Sequence, residues 1–284
     1  VSIPLVQMVQ ILNPAKTVIR LRPVEATQSL ERELAAIFLW IPEEWSRLIE
    51  ERLVPFYVQP IDDVMLDVDF QQIITEMCDF INSRIIYQTE KSQRWVTRFG
   101  AWHGRRTAAA VRSATGVEVA PYMMMSDIRA ILEDAVKNHV SLMRTLNEET
   151  RQRVVTVVFR SFALRKTKRE LIRELALAMG ITQKRARFIA EDQTIKLNAV
   201  LNEMRQRQMG FDGYVWRTRR DDRVRREHAQ REGHAFKWND PPYDGHPGIP
   251  INCRCVPEAY MELKGGIQHK HEPQRTRQAP ESHP

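Results

Sequence analysis

His228, His246, Cys253 and Cys255 are the residues of this chain best suited to chemistry, because imidazole and thiolate are the common ligands of zinc. All four fall in residues 213–260, a stretch dense in turn formers: Pro241-Pro242, Asp244-Gly245 and the run from His246 to Pro250. Backbone so poor in regular hydrogen bonding needs side-chain partners or an ion to hold it. A tetrahedral ion bound by these four would fix such a module.

The C-x-C spacing of Cys253 and Cys255 is tighter than the usual gap of about two to four residues, so the residues alone leave three arrangements open. Both cysteines share an ion with the histidines, or one cysteine alone binds. In the third arrangement the segment is a metal-free hydrogen-bonded knot, with Asp221 or His234 completing a polar network. A catalytic reading would pair His228 with Asp221 and Glu227 as acid and base and make Cys253 a nucleophile. No glycine-rich phosphate loop, serine elbow or H-E-x-x-H motif accompanies it, so the chain is expected not to be an enzyme.

Beside Trp216 lies a ribbon of arginines, Arg217, Arg219, Arg220, Arg223, Arg225 and Arg226. Arginine makes bidentate, salt-sensitive contacts with phosphate, and the four outer residues Arg217, Arg219, Arg220 and Arg226 are the candidates for DNA contact. Asp221, Asp222 and Glu227 interleave the ribbon, and pairing with these acids is the expectation for Arg223 and Arg225.

Helices must position this module. Apolar residues recur at three- and four-residue spacing over 25–40, 69–89, 126–146, 151–164, 167–178 and 182–209. Pro42 is expected to stop the first of these and to open a second helix that ends near Pro55. Residues 91–115 read as a further helix with a solvated or partner-facing basic cluster at His103-Gly104-Arg105-Arg106. Ser126-Asp127 is the expected cap of the helix that follows, and His139 in it reads as a surface or boundary residue. Gly180 is expected to terminate one helix and Thr182 to cap the next, while Gly210 closes the last. Before residue 23 an extended arm is expected, or a strand around 17–21. Cys78 reads as a small buried hydrophobe.

The fold expected is therefore mainly α with a C-terminal α+β module: a helical N-terminal region, then a turn-rich module carrying the histidines and cysteines. The divisions are 1–120, an arm and helical docking region; 121–260, with helices over 126–210 and the turn-rich part over 211–260; and 261–284, a polar tail expected to be flexible. Among the 284 residues 28% are charged, 43% are hydrophobic, and the net charge is +7, which favours an acidic neighbour. Three cysteines are too few for a secreted disulfide scaffold, and no apolar run reaches the ~20 residues of a membrane span. No signal peptide is expected.

The order of residues in the C-terminal stretch resembles the signature of the phage Mu F-like minor head proteins. The opening is Trp216-Arg217-Thr218, and the core is Asp221, Arg223, Val224, Arg225 and His228. Gly233 follows, then Phe236, Trp238, Asp240 and Pro241, and Asn252-Cys253-Arg254-Cys255 closes it. Upstream, Gly180-Ile181-Thr182, Arg185-Ala186, Ile189-Ala190 and Asp192-Gln193-Thr194 are similar to that family's helical part, so the likeness runs from about residue 126 to 256. The resemblance implies a structural protein of a tailed-phage head. It implies association with the portal vertex, the portal or major capsid protein as partner, a role in head morphogenesis, and contact with packaged DNA during packaging or ejection. It implies residence in the virion after assembly in the host cytoplasm, and neither a small-molecule substrate nor a catalytic residue. DNA binding through the arginines is the runner-up function, and a metal-dependent hydrolase or nuclease the third. Zinc, as a structural ion, is the one cofactor the ligand types suggest.

Overall fold

The computed structural model of the chain describes residues 5–12, 15–57, 69–119 and 128–263. In order they form α1 (Leu5–Leu12), β1 (Val18–Arg20), α2 (Gln28–Leu48), α3 (Phe70–Thr115), α4 (Arg129–Ala163), α5 (Lys168–Gln208), β2 (Gly213–Arg217), α6 (Arg226–Gln230), β3 (Ala235–Lys237) and β4 (Val256–Glu262). The fold is mainly α with a C-terminal α+β module, as the sequence predicts. The Ser126-Asp127 cap and the tail beyond Leu263 lie outside the described residues.

The helices are fewer and longer than the punctuation of the sequence suggests. α2 runs straight through Pro42, which removes one backbone donor but leaves Phe38, Ile41 and Trp45 on a continuous buried face. The helix then passes through a π turn over Ile49–Leu53 and a 3-10 turn at Val54–Phe56. α3 joins the two expected helices of residues 69–115 into 46 residues, about 69 Å at 1.5 Å per residue. Asp69 caps it by accepting from the Gln72 N–H at 3.0 Å. α5 crosses Gly180, whose α-carbon faces open space. Its start is a capping box between Thr167 and Glu170. Thr182 is buried and bonds back to the Ala178 carbonyl rather than capping anything. A helical glycine costs only about 1 kcal/mol, which the unbroken apolar face on either side (Leu171, Leu175, Ala186, Ile189) outweighs.

α2, α3, α4 and α5 enclose one core. Trp45 is fully buried within it, and its indole N–H donates to Asn147 Oδ1 at 2.6 Å while the Asn147 amide donates to the Cys78 carbonyl at 3.0 Å. Tyr57 is buried too and reaches the Lys166 carbonyl. Residues 1–120 are expected to dock through Trp40, Trp45, Phe56 and Tyr57, but most of these aromatics are consumed inside the chain: Trp45 and Tyr57 are buried, Trp40 packs half-buried against the core, and Phe56 is exposed. Cys78 is buried, as expected, and burial raises its thiol to about 11.

Two histidines depart from expectation. His103 is fully buried, accepting at Nδ1 from the Arg205 guanidinium at 2.9 Å, and Arg205 also donates to the Gly100 carbonyl at 3.0 Å. His139, also buried, meets the Ser92 hydroxyl at 2.7 Å between the rings of Phe38 and Trp95. Both sit on the inward stripe of their helices, which outweighs the polarity that marked them as surface. Burial, and at His103 the neighbouring Arg205, lowers them from 6.5 to about 3 and about 4. The unfolded chain takes up these protons near pH 6.5 while the folded chain does not. Their contribution is therefore complete above pH 6.5 and falls as the pH drops, by about 2 kcal/mol for each histidine by pH 5. Urea denaturation at pH 7, 6 and 5 is expected to show this slope, and His139→Asn to reduce it; a profile flat over that interval would contradict the buried neutral histidines.

The four strands form one antiparallel sheet in the order β1-β4-β2-β3. The registers Ile19↔Met261, Tyr214↔Ala259 and Trp216↔Pro257 put these residues on one face, which is buried. Ala108 and Val111 near the end of α3 cover its β1–β4 side. The opposite face carries Arg20, Arg217 and Glu258, with Arg217 paired to Glu258 at 2.6 Å. The strand expected around residues 17–21 is thus the edge strand β1.

Candidate metal centre

The turn-rich segment closes over the inward face of β2. Trp216 stands at its centre, fully buried, with His228 of α6 edge-on to its ring at 5.1 Å and Arg231 over its face at 4.9 Å. Three of the four expected ligands converge there: His228, Cys253 and Cys255 are all buried, and their ligand atoms lie within 4.8 Å of one another. His228 Nδ1 is 3.4 Å from Cys253 Sγ and 3.6 Å from Cys255 Sγ. The C-x-C spacing that looked too tight is what brings the sulfurs together. In extended backbone, alternate residues point the same way, so both cysteines face inward and Arg254 faces out, where it pairs with Asp221 at 2.7 Å.

His246, the fourth expected ligand, is not part of the cluster. Its Nδ1 meets the Tyr214 hydroxyl at 2.9 Å, and its ring packs edge-on to Trp238 and Tyr214. Tyr214 and Trp238 make a separate aromatic seat that takes this imidazole away from the sulfurs.

A residue that sequence reasoning counted only as a turn former orients the site. Asp244 Oδ2 accepts from His228 Nε2 at 2.9 Å, and its Oδ1 accepts from Arg231 at 2.6 Å. Burial pushes the Asp244 carboxyl upward, but the bonds from His228 and Arg231 prevail and hold it below the usual carboxylate range. With an ionised acceptor at Nε2, the proton of His228 sits there and the Nδ1 lone pair faces the sulfurs. The two thiols behave as a pair. Cys255 Sγ lies within 4.8 Å of Cys253 Sγ, and the Gly248 N–H reaches Cys253 Sγ at 3.5 Å. Cys253 is thereby lowered to about 6, and Cys255 is raised by the same contact and by burial.

Gly248 makes this contact with φ +88°, and a Cβ there would lie 2.7 Å from Ala199 Cβ of α5. Gly233 of the signature also has a positive φ, +80°, and its N–H donates to the Trp216 carbonyl at 2.9 Å. Glu232, unremarked in the sequence, accepts from the Thr218 N–H at 2.5 Å and hydroxyl at 2.8 Å and pairs with Arg220. Although burial opposes it, those bonds lower Glu232 to about 2. The helical and turn-rich halves of the signature meet directly: Asp192 accepts from the Asn252 N–H at 2.7 Å, and Glu191 pairs with Arg223 at 3.0 Å. Asn252 adopts φ 54°, a left-handed turn that aims the cysteines back toward His228.

Five of the six arginines of the ribbon are engaged within the chain. Arg217 pairs with Glu258 and Glu232, Arg219 with Glu25, and Arg220 with Glu232. Arg225 donates to the Ile251 carbonyl at 2.6 Å. Arg223 and Arg225 are engaged internally, as expected, but their side chains reach Glu191 of α5 and the Ile251 carbonyl; of the expected acids Asp221 meets Arg223 through the Arg223 backbone N–H, at 3.2 Å, and Arg226 is exposed.

Such a site, on a helical body with a small antiparallel sheet, defines a buried His/Cys cluster. Residues 152–258 match the family described as Phage Mu protein F like protein. This part of the chain is similar to that family. The likeness read from the signature began earlier, near residue 126; the match starts within α4 and ends in β4. An uncharacterized protein of Haemophilus influenzae is 29% identical over 185 residues, covering 61% of this chain and 41% of that relative. The chain thus spans less than half the length of this relative. No solved structure gives a significant match. Among the described residues, no helix is long and apolar enough to cross a membrane.

Proposed function

We propose that the protein is a minor head protein of a tailed bacteriophage, acting in head morphogenesis at the portal vertex in contact with portal or major capsid protein. It assembles in the host cytoplasm, ends in the virion, and is not an enzyme. The observation that supports this reading is the family match falling on the module where nearly every signature residue is used to hold another: Asn252 to Asp192, Asp221 to Arg254, Thr218 to Glu232 and Gly233 to Trp216. A signature devoted to internal contacts serves architecture. DNA contact through the arginine ribbon would require breaking the ion pairs of Arg217, Arg219 and Arg220, so it ranks second.

Quantitative mass spectrometry of purified full heads, from particles produced with and without this gene, tests the reading. The protein is expected in the heads at low copy relative to major capsid protein, crosslinking to the portal. Its absence from heads that assemble normally would reject it.

A further inference from the structure

We propose that His228 Nδ1, Cys253 Sγ and Cys255 Sγ bind one zinc-class ion whose fourth position is open to a cavity beneath Arg225 and Arg254, where water or a small anion completes the tetrahedron. The inference is independent of the head role.

Geometry carries it. An ion with bonds of about 2.3 Å to sulfur and about 2.0–2.1 Å to nitrogen, at tetrahedral angles, sets nitrogen and sulfur about 3.6 Å apart. The two separations here are 3.4 and 3.6 Å. The donors need little movement to accept the ion. Two free, buried thiols facing an imidazole lone pair make a soft donor set, which suits zinc far better than magnesium or calcium. Asp244 supplies the outer carboxylate that metal-bound histidines use to fix tautomer and ring orientation, and Arg231 holds that carboxylate in turn.

The fourth position follows from what stands around the three ligands. His246 is held by Tyr214 and Trp238 and does not reach the sulfurs. Instead, His228, Cys253 and Cys255 line a cavity of about 190 Å³ together with Arg223, Arg225 and Arg254. That space admits water, and its rim is cationic. Zinc sites closed by four protein side chains are structural, whereas a set of three leaves room for an exogenous ligand.

The test is cobalt and zinc binding by the full chain, in wild type and in four variants. Wild type is expected to take one equivalent of Co(II) with thiolate charge-transfer absorption and tetrahedral visible bands. Thiocyanate should then shift those bands. Cys253→Ser and Cys255→Ser are each expected to weaken zinc affinity about 100-fold or more, and Asp244→Asn about 10- to 100-fold. His246→Gln should leave affinity within about twofold of wild type, since it removes no ligand. Failure of wild type to take up either metal would overturn the site, as would loss of binding in His246→Gln or full binding in Cys255→Ser. Cobalt bands indifferent to thiocyanate would overturn the open position. The wild-type titration decides the first point even if a cysteine variant does not fold.

Discussion

A chain lacking residues 1–57 is expected not to fold. α2 contributes Leu34, Phe38, Ile41, Trp45 and Leu48, all buried, to the core it shares with α3, α4 and α5, and Leu53 and Tyr57 follow from the turns beyond it. Full burial of each such side chain is worth about 1.5–3 kcal/mol, so seven of them amount to roughly 10–20 kcal/mol, as much as the roughly 5–15 kcal/mol by which a whole domain is stable. The deletion also removes the acceptor for two buried amides of α5, because Asn198 and Asn202 both donate to the Val24 carbonyl at 2.9 Å. Circular dichroism and dye binding of the truncated chain should show no cooperative melt and exposed apolar surface. A cooperative melt close to that of the full chain would show instead that residues 69–263 stand alone.

Gly248→Val is expected to cost about 3 kcal/mol or more. Three penalties fall together: a β-branched side chain at φ +88°, a Cβ 2.7 Å from Ala199 Cβ, and displacement of the N–H that reaches Cys253 Sγ. The loop cannot retreat without moving Cys253, so the loss of stability should be accompanied by a change in the reactivity of that thiol. Gly180→Ala is the opposing control. It lies in the interior of α5 with open space around it, and alanine there should stabilise by up to about 1 kcal/mol. Urea midpoints of the two variants measure both; equal and small effects would contradict the close packing of the turn-rich segment on α5.

Helical periodicity was legible because apolar side chains repeat along every helix, and so was the edge strand near Ile19. Helix boundaries were not. Pro42 and Gly180 are strong local breakers, costing about 3 and about 1 kcal/mol, yet buried residues on both sides carry each helix across. His103 and His139 were misplaced for a related reason: polarity was read residue by residue, while their position on the inward stripe decides their burial. In the C-terminal module the donor types were visible, and three of the four converge. What the sequence could not show was that Tyr214 and Trp238 claim His246, or that Asp244 orients His228. Those contacts join residues 8 to 32 positions apart through turns with no periodicity to read. The partners of the arginines were hidden likewise, since Glu25, Glu191 and Glu258 lie far from the ribbon in sequence.

X-ray absorption at the zinc edge of the purified full chain tests the metal centre most directly. The geometry predicts two sulfurs at about 2.3 Å and two lighter atoms at about 2.0–2.1 Å, with multiple scattering from a single imidazole. Scattering from two imidazoles would return His246 to the site, and a protein that binds no zinc would leave His228 and the cysteines as a hydrogen-bonded knot.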